Sequence, residues 1–200
     1  MGAQRSRAII VLVVAAFLVM ALGGQAVADR VADASGADTT AAVGRAASSY
    51  LTGIRTYAAA ALWNRIDPLM HNYYEGVPFE DLRYALTTIA VVQWLDPHAA
   101  DSYYTGSWML IENDRVEDGI AMAERGVEHN PNAGLLAMNL AQIRMLQQDD
   151  LEGAVEVGKT ALEPDTVWTD PLEQHNALLI LVSVFRAAGR DDLVVVAQEQ

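Results

Sequence analysis

The stretch LDPHA at residues 95–99 returns along the chain as HNPNA at residues 129–133. Pro97 and Pro131 occupy the same position in the two stretches. Their separation matches the period of about 34 residues that is typical of tandem helix-turn-helix units, each of which covers its apolar face with the next unit. The repeat therefore predicts a stack of helical hairpins, and the two stretches are expected to be the turns between them.

The rest of the chain has the periodicity of helices from Ala46 onward, and Gly or Pro marks the joints. No segment alternates apolar and polar residues for long enough to predict a strand. We expect helices near residues 46–75, 79–95, 99–112, 116–129, 133–147, 151–163, 172–188 and 191–199. Pro68 lies inside the first of these and should kink it or divide it after Asp67.

The repeats resemble the tetratricopeptide repeat family, whose units carry large and aromatic residues in a first helix, small residues in a second, and a closing proline. In the unit closed by Pro131, the matching residues are Tyr103, Gly106, Ser107, Leu110, Gly119, Ala123 and Gly126. The neighbouring units contribute Ala85 and Pro97 on one side, Leu140, Ala141, Ala154 and Ala161 on the other, and Leu181, Val182 and Gly189 in a degenerate last unit. The resemblance covers about residues 60–200, and it implies an α-solenoid that holds another protein.

Composition restricts the possible partners and chemistry. Thirteen basic and twenty-six acidic residues give the 200-residue chain a net charge of −13. Such a charge repels nucleic acid, so we expect no nucleic-acid partner, and it favours a basic or apolar one. Because the chain has no cysteine, a disulfide, a thiolate metal site and a cysteine nucleophile are all excluded.

Residues 1–28 have the pattern of a membrane anchor or an export segment. Arg5 and Arg7 precede an uncharged stretch from Ala8 to Ala28, which as a helix would reach about 30 Å and cross a bilayer core. The basic side stays in the cytoplasm, so we expect a single-pass protein of the bacterial cell membrane with its C-terminal domain outside. The alternative is cleavage after the A-x-A sequence that ends at Ala28, which gives a secreted or periplasmic protein.

The predicted organisation has three parts. Residues 1–28 form the transmembrane anchor or signal segment, residues 29–45 a flexible linker, and residues 46–200 the helical repeat domain. The predicted fold class is thus all-α, with an N-terminal transmembrane helix followed by a tetratricopeptide-like α-solenoid of about three to four helical hairpins.

One motif points to an enzyme. Residues 153–160 match the P-loop pattern G-x-x-x-x-G-K-T, with Lys159 in the lysine position. A P-loop follows a strand and keeps its N–H groups free for phosphate, whereas here an acidic start at residues 149–152 predicts a helix that runs through both glycines. Within a helix these N–H groups are already bonded, so we expect no nucleotide binding and keep a P-loop protein as the less favoured alternative.

A metal site has only a weak signal. Asp67 and His71 are spaced i, i+4 and would share a helix face, with His98 and Glu80 as possible further ligands. The simpler interpretation is a hydrogen-bonded helix surface. We therefore expect no metal, no cofactor and no catalytic residue, and we interpret the protein as a non-enzyme.

The resemblance places an inner groove along the first helices of the second and third units. Its predicted partner-binding residues are Tyr104, Thr105, Trp108, Glu112, Met138, Asn139, Gln142 and Met145. Family members that bind a C-terminal carboxylate carry Lys and Arg at several such positions, and Asn139 alone fits that pattern. Aromatic and methionine side chains with an acidic rim better suit an apolar or basic helical segment. The alternative interpretation of Trp108 is that its side chain only packs between neighbouring repeat units.

A second aromatic set, formed by Tyr50, Tyr57 and Trp63, falls near one face of the first predicted helix. Such a stripe is expected to belong to the core, with partner docking as the alternative. The function predicted from the whole sequence is a membrane-tethered, extracytoplasmic adaptor or scaffold. The alternative is a structural or accessory subunit of a larger membrane complex or filament, packed through residues 8–28.

Overall fold

The computed structural model describes residues 50–66 and 83–200. The chain divides into two units, Met1–Ile54 and Arg55–Gln200, and the packing set out below is that of the described part of the second unit. The described residues are all-helical, as predicted, and their one β-type pairing is an isolated parallel bridge between Ala133 and Val167.

The described residues form eight helices. They are α1 (residues 50–66), α2 (Arg83–Leu95), α3 (Ala100–Ile111), α4 (Val116–His129), α5 (Gly134–Gln148), α6 (Leu151–Thr160), α7 (Pro171–Ala187) and α8 (Asp191–Glu199). They follow the predicted helices in order, and the bounds of α4 and α8 agree to the residue. Pro68 and the predicted extension of the first helix to residue 75 lie outside the described residues.

The predicted transmembrane helix requires a correction. Within residues 50–66 and 83–200, no helix combines the length and the apolar character that a membrane crossing demands. A span needs about 20 consecutive apolar residues, whereas α7 has 17 residues and includes Glu173 and Arg186. The described residues are therefore all-α, and none of their helices is the transmembrane helix that the predicted fold class included. The segment to which the anchor was assigned, residues 8–28, lies outside the described residues.

The helices pack as successive hairpins. α3 packs on α4, α5 on α6, and α7 on α8. The first helices of neighbouring hairpins also lie side by side, because α5 contacts both α3 and α7, and each second helix contacts the next first helix. At the start of this unit, Arg55 lies beside Trp94 while Ile66 packs against Ala85, so α1 and α2 run antiparallel. This is a solenoid-like arrangement in which each hairpin covers its neighbour.

The burial pattern gives the register of the hairpins. The pattern of α3 returns in α5 after one repeat period, so that Ser102 corresponds to Leu136, and both are buried. The same burial pattern also returns in α7, but seven residues later than two repeat periods would place it. Each of the six buried residues of α7 is the counterpart of a buried residue of α3. These pairs are Ser102 and Ala177, Tyr103 and Leu178, Gly106 and Leu181, Ser107 and Val182, Met109 and Val184, and Leu110 and Phe185. The last hairpin therefore keeps the packing pattern of the others after a seven-residue shift.

Glycines allow α3 and α4 to approach closely. A Cβ atom on Gly119 would lie 2.7 Å from the carbonyl oxygen of Ser107, and one on Gly126 would lie 2.8 Å from the Cβ of Tyr103. Both distances are shorter than real Cβ contacts. The small residues that suggested the repeat family therefore have a steric role here, because a side chain at either position would push the two helices apart.

The two proline turns bond to each other. The side-chain Nδ2 of Asn130 donates to the carbonyl oxygen of Pro97 at 3.2 Å and to that of Gly126 at 3.1 Å. The next turn is joined in a similar way, because Asn132 Nδ2 donates to Asp165 Oδ2 at 3.2 Å. The asparagines of the HNPNA stretch thus connect three successive hairpins along one edge of the stack.

Candidate functional site

On α3, three of the predicted groove residues are half-buried and one is exposed. Tyr104, Thr105 and Trp108 follow one another along the helix, and Glu112 is the exposed residue that caps its C-terminus. The ring of Tyr104 packs against a core cluster that includes Met138 of α5. The residues of α3 therefore offer partner-accessible area while they are held in place by the core.

On α5, burial separates the predicted residues into two groups. Gln142 and Met145 are half-buried and remain partly accessible. Met138 and Asn139 are 2% and 0% exposed, so no partner can reach their side chains in this structure. A binding role for the accessible residues stays a prediction, and Met138 and Asn139 form part of the floor beneath them.

A buried polar contact fixes α3 beside α5. Asn139 Nδ2 donates to Ser107 Oγ at 3.1 Å, and the Ser107 hydroxyl donates to the carbonyl oxygen of Tyr104 at 2.9 Å. The amide oxygen of Asn139 is buried without a hydrogen-bond partner. An unpaired buried acceptor costs about 1–3 kcal/mol, so this contact sets the register of the two helices at some expense of stability.

The two aromatic residues of the predicted groove differ in their surroundings. Burial raises the pKa of the Tyr104 hydroxyl above its ordinary value of 10.0, so at neutral pH it is a neutral group that can donate a hydrogen bond. Trp108 is half-buried and packs beside the cluster of Ile111, Ala123, Leu140 and Ile143. Trp108 therefore packs between units, as one interpretation made from the sequence expected, and it keeps an accessible part for which partner binding stays a prediction.

The register adds accessible residues that sequence reasoning missed. Leu146 on α5 is the counterpart of Glu112 on α3, and it is 55% exposed. On α7, the counterparts of Thr105 and Trp108 are Ile180 and Ser183. Leu146 could have been found from the sequence alone, because it lies one repeat period after Glu112. The two α7 positions could not be found in this way because the longer connection before α7 shifts the register.

The P-loop pattern lies on a helix, as predicted. Residues 153–160 fall within α6, where the N–H of Gly153 donates to Asp150 Oδ1 at 2.8 Å. Gly158 faces the core, since a Cβ there would lie 3.0 Å from Leu181. Lys159 Nζ lies 3.5 Å from Glu156 Oε2. These residues therefore form a helix in a hairpin and have neither the open loop nor the preceding strand of a phosphate site.

Of the four residues named as possible metal ligands, only His98 lies within the described residues. His98 is exposed, and its Nδ1 lies 3.3 Å from Asn130 Oδ1 in the bonded turns. Asp67, His71 and Glu80 lie outside the described residues. Across residues 50–66 and 83–200, no group of three or more His, Cys, Asp or Glu side chains is arranged to hold a metal ion.

The surface around the groove is acidic. Residues 96–200 carry nineteen acidic and six basic side chains. Of the basic ones, Arg115, Lys159 and Arg190 lie within salt-bridge distance of carboxylates on the same hairpin. The field around the groove therefore attracts cations and repels polyanions.

No protein-family model and no curated protein matches this chain. Membership of the tetratricopeptide repeat family consequently stays a prediction made from the residues themselves.

Proposed function

We propose that this protein is a helical-repeat adaptor of the tetratricopeptide type, which holds a helical segment of another protein along α3 and α5. The observation that carries the proposal is the side-by-side placement of these two helices, joined through Asn139 and Ser107. It leaves Tyr104, Trp108 and Met145 partly accessible on first helices of adjacent hairpins. Rows of aromatic and methionine side chains on rigid helices are typical of sites that accept an amphipathic helix.

The chemistry of the site favours a partner with an apolar face and basic flanks. Tyr104, Trp108 and Met145 offer apolar area, and Gln142 offers both a donor and an acceptor to the rim. The excess of carboxylates in residues 96–200 would attract Lys and Arg on the flanks of such a helix and would repel an acidic one.

Selection from a library of displayed amphipathic helices, with flanks of either charge, tests this proposal on the full chain. We expect the retained peptides to be apolar on one face and basic beside it. Truncating an aromatic anchor costs about 2 kcal/mol or more in many interfaces, so Trp108→Ala should weaken their binding at least ~10-fold. Trp94→Ala is the matched control, because Trp94 of α2 is 71% exposed and lies outside the predicted groove.

Two results would contradict the proposal. One is a library that yields no basic amphipathic peptide. The other is a peptide whose affinity falls equally with Trp108→Ala and Trp94→Ala, since this would place binding outside the groove. Far-ultraviolet circular dichroism of both variants would show whether the helices are retained.

We further propose that this adaptor works outside the cytoplasm after an export segment is removed. The support is the order of features at the start of the sequence, with a basic beginning, an apolar run and an A-x-A site that ends at Ala28. N-terminal sequencing of the mature protein from its host should begin at Asp29. Ala28→Arg should block this processing, and a mature protein that still carries the preceding residues would refute it.

A further inference from the structure

The outer side of α2 departs from the repeat pattern. One repeat period separates α2 from α4, and the buried residues of the two helices pair at that spacing. The pairs are Ala85 and Gly119, Ile89 and Ala123, and Val92 and Gly126. Because both helices turn the same positions toward the core, the residues on their outer sides can be compared one by one.

The outer positions of α4 are charged, whereas those of α2 are not. On α4 the exposed outer residues suit a helix side that faces water, and they are Asp118, Glu124, Arg125 and Glu128. On α2 the residues one period earlier are also exposed, and they are Tyr84, Ala90, Val91 and Trp94. An exposed apolar stripe at positions that elsewhere carry charge is typical of a surface that binds a partner or a membrane.

Trp94 is paired with an arginine of the same hairpin. Arg55 Nη2 donates to the backbone carbonyl oxygen of Trp94 at 2.7 Å, and the Cζ of Arg55 lies 5.6 Å from the centre of the indole ring. A guanidinium has five N–H donors, so Arg55 has further donors for an anion. Tyrosine, tryptophan and arginine combine an apolar part with a polar end, which is the character of side chains in the headgroup region of a bilayer.

The charge of the first hairpin is opposite to that of the others. Residues 55–66 and 83–95 contain Arg55, Arg65 and Arg83 and neither Asp nor Glu. Residues 96–200 carry nineteen acidic and six basic side chains. Anionic lipid headgroups attract arginines and repel carboxylates, and salt limits this effect to about 10 Å. Of the described surface from Arg55 onward, the first hairpin is therefore the part whose charge is complementary to an anionic bilayer.

The shape of α2 separates its inner side from its outer side. A concavity of about 160 Å³ takes Val92 from the inner side of α2, together with residues of α1 and α3 such as Trp63 and Ser102. Tyr84 and Trp94, by contrast, are 52% and 71% exposed and project from the convex surface of the helix. The strongest contacts between proteins cluster in fitted pockets, whereas a bilayer interface accepts projecting aromatic rings without a matching shape.

We propose that the outer side of α2 lies on the surface of an anionic bilayer, with Tyr84, Val91 and Trp94 in the headgroup region and Arg55 beside a lipid phosphate. This contact is peripheral, because α2 has 13 residues and a helix needs about 20 to cross the hydrocarbon core. The proposal is independent of the groove on α3 and α5, since it uses only residues of α1 and α2.

A label at a single position tests the proposal, because the natural chain has no cysteine. The full chain carrying Val91→Cys is labelled with nitrobenzoxadiazole and mixed with vesicles of phosphatidylcholine and phosphatidylglycerol that contain lipid spin-labelled at the headgroup. The spin label should quench the fluorescence. Val195→Cys is the matched control, since Val195 is 53% exposed but lies on α8, and its label should stay unquenched.

Residues 8–28 are the same in both labelled chains, so binding through that segment cannot by itself produce a difference between them. Absence of quenching in the Val91→Cys chain would overturn the proposal and would leave an apolar protein as the occupant of this face. Equal quenching of the two labels would overturn it as well.

A second measurement uses charge at the same face. Trp94→Glu introduces the residue type that α4 carries one period later, at Glu128, and should reduce the quenching of the Val91→Cys label at least about threefold. Tyr57→Glu is the control and should leave it unchanged. Tyr57 is 77% exposed, and at 3.6 residues per turn it lies on the opposite side of α1 from Arg55.

Vesicles of phosphatidylcholine alone should also quench the Val91→Cys label less, because they lack the anionic headgroup. Quenching that survives Trp94→Glu, or that is as strong without phosphatidylglycerol, would refute the proposal. Because Trp94 is exposed, Trp94→Glu should keep the helical circular dichroism signal. It should also keep the binding of helical peptides in the absence of vesicles, so the bilayer contact and the groove can fail separately.

Discussion

At the scale of single residues, Asn139 combines a structural contact with an unsatisfied group. Its Nδ2 bonds to Ser107 Oγ, but its buried Oδ1 has no partner. A leucine of similar size removes that unpaired acceptor, and the Ser107 hydroxyl keeps its own acceptor on Tyr104. We therefore expect Asn139→Leu to change the free energy of unfolding by less than about 1 kcal/mol. Asn139→Asp should lower it by several kcal/mol, because it buries a charge or forces its neutralisation.

Chemical denaturation of the two variants measures this difference. An equal loss of stability in both would show that the amide itself is required. The fully buried position of Asn139 could not be predicted from the sequence, since burial depends on how closely α5 is packed between neighbouring first helices.

The close approach at Gly119 leads to a second prediction at this scale. An alanine there would place its Cβ 2.6 Å from a side-chain carbon of Ile111 and 2.7 Å from the Ser107 carbonyl oxygen. Backbone cannot move aside cheaply, so Gly119→Ala should lower the free energy of unfolding by about 1–3 kcal/mol.

Gly53→Ala is the control for helix propensity. A Cβ on Gly53 would meet nothing within 4 Å, so the substitution in α1 should raise helix stability by roughly 0.5–1 kcal/mol. Thermal unfolding followed by circular dichroism checks both variants. A stabilising effect of Gly119→Ala would contradict the close approach of α3 and α4 at this glycine.

The aromatic stripe shows where residue-scale inference from spacing fails. Trp63 packs against the cluster of Ile66, Ala85, Ile89 and Met109, as expected of a core residue. Tyr57 is 77% exposed, so the expectation that it belongs to the core is wrong. At 3.6 residues per turn, a spacing of seven residues returns to nearly the same face of a helix, whereas a spacing of six residues does not, so Trp63 can face the core while Tyr57 faces away from it.

At the scale of elements, the turn between α4 and α5 connects hairpins through side chains as well as through the chain. Asn130→Ala removes the bonds to the carbonyl oxygens of Pro97 and Gly126. The loss should lower the free energy of unfolding by about 1–2 kcal/mol. Asn176→Ala, at an exposed position of α7, should change it by less than ~0.5 kcal/mol.

Urea denaturation monitored by tryptophan fluorescence measures both variants. If Asn130→Ala were as stable as Asn176→Ala, the side-chain bonds between the turns would be incidental. Hydrogen exchange of the amides that follow Pro97 would add a local readout, since opening of that turn should become easier.

The order and type of the elements followed from the sequence because helical periodicity and Gly or Pro joints are local signals. The structure of the connection between α6 and α7 did not follow from the sequence. There, Val167 donates to and accepts from the backbone around residues 132–134, and Trp168 covers Gly134 so closely that a Cβ would touch its ring. The longer connection shifts the last hairpin by seven residues and docks on the preceding turn, which is why the last unit looked degenerate in sequence while its helices keep the repeat packing.

At the scale of the whole molecule, the acidic excess should control how the proposed peptide binding depends on salt. A basic helical peptide bound in the groove is attracted by a field that salt screens over about 8–10 Å at 0.1–0.15 M ionic strength. Raising sodium chloride from about 50 to about 500 mM should therefore weaken peptide binding, mainly through a slower association rate.

Isothermal titration calorimetry of the peptide at both salt concentrations measures this trend. An affinity that rises with salt would contradict the proposed electrostatics of the groove.

The two matching proline turns also bear on how such a chain can grow. Residues 95–99 and 129–133 precede α3 and α5 at equivalent positions, one repeat period apart. A duplication or deletion of coding sequence bounded by these two points would add or remove one complete hairpin and leave a proline turn at the junction. Such a change would alter the length of the protein by whole hairpins and would keep a proline turn at each joint.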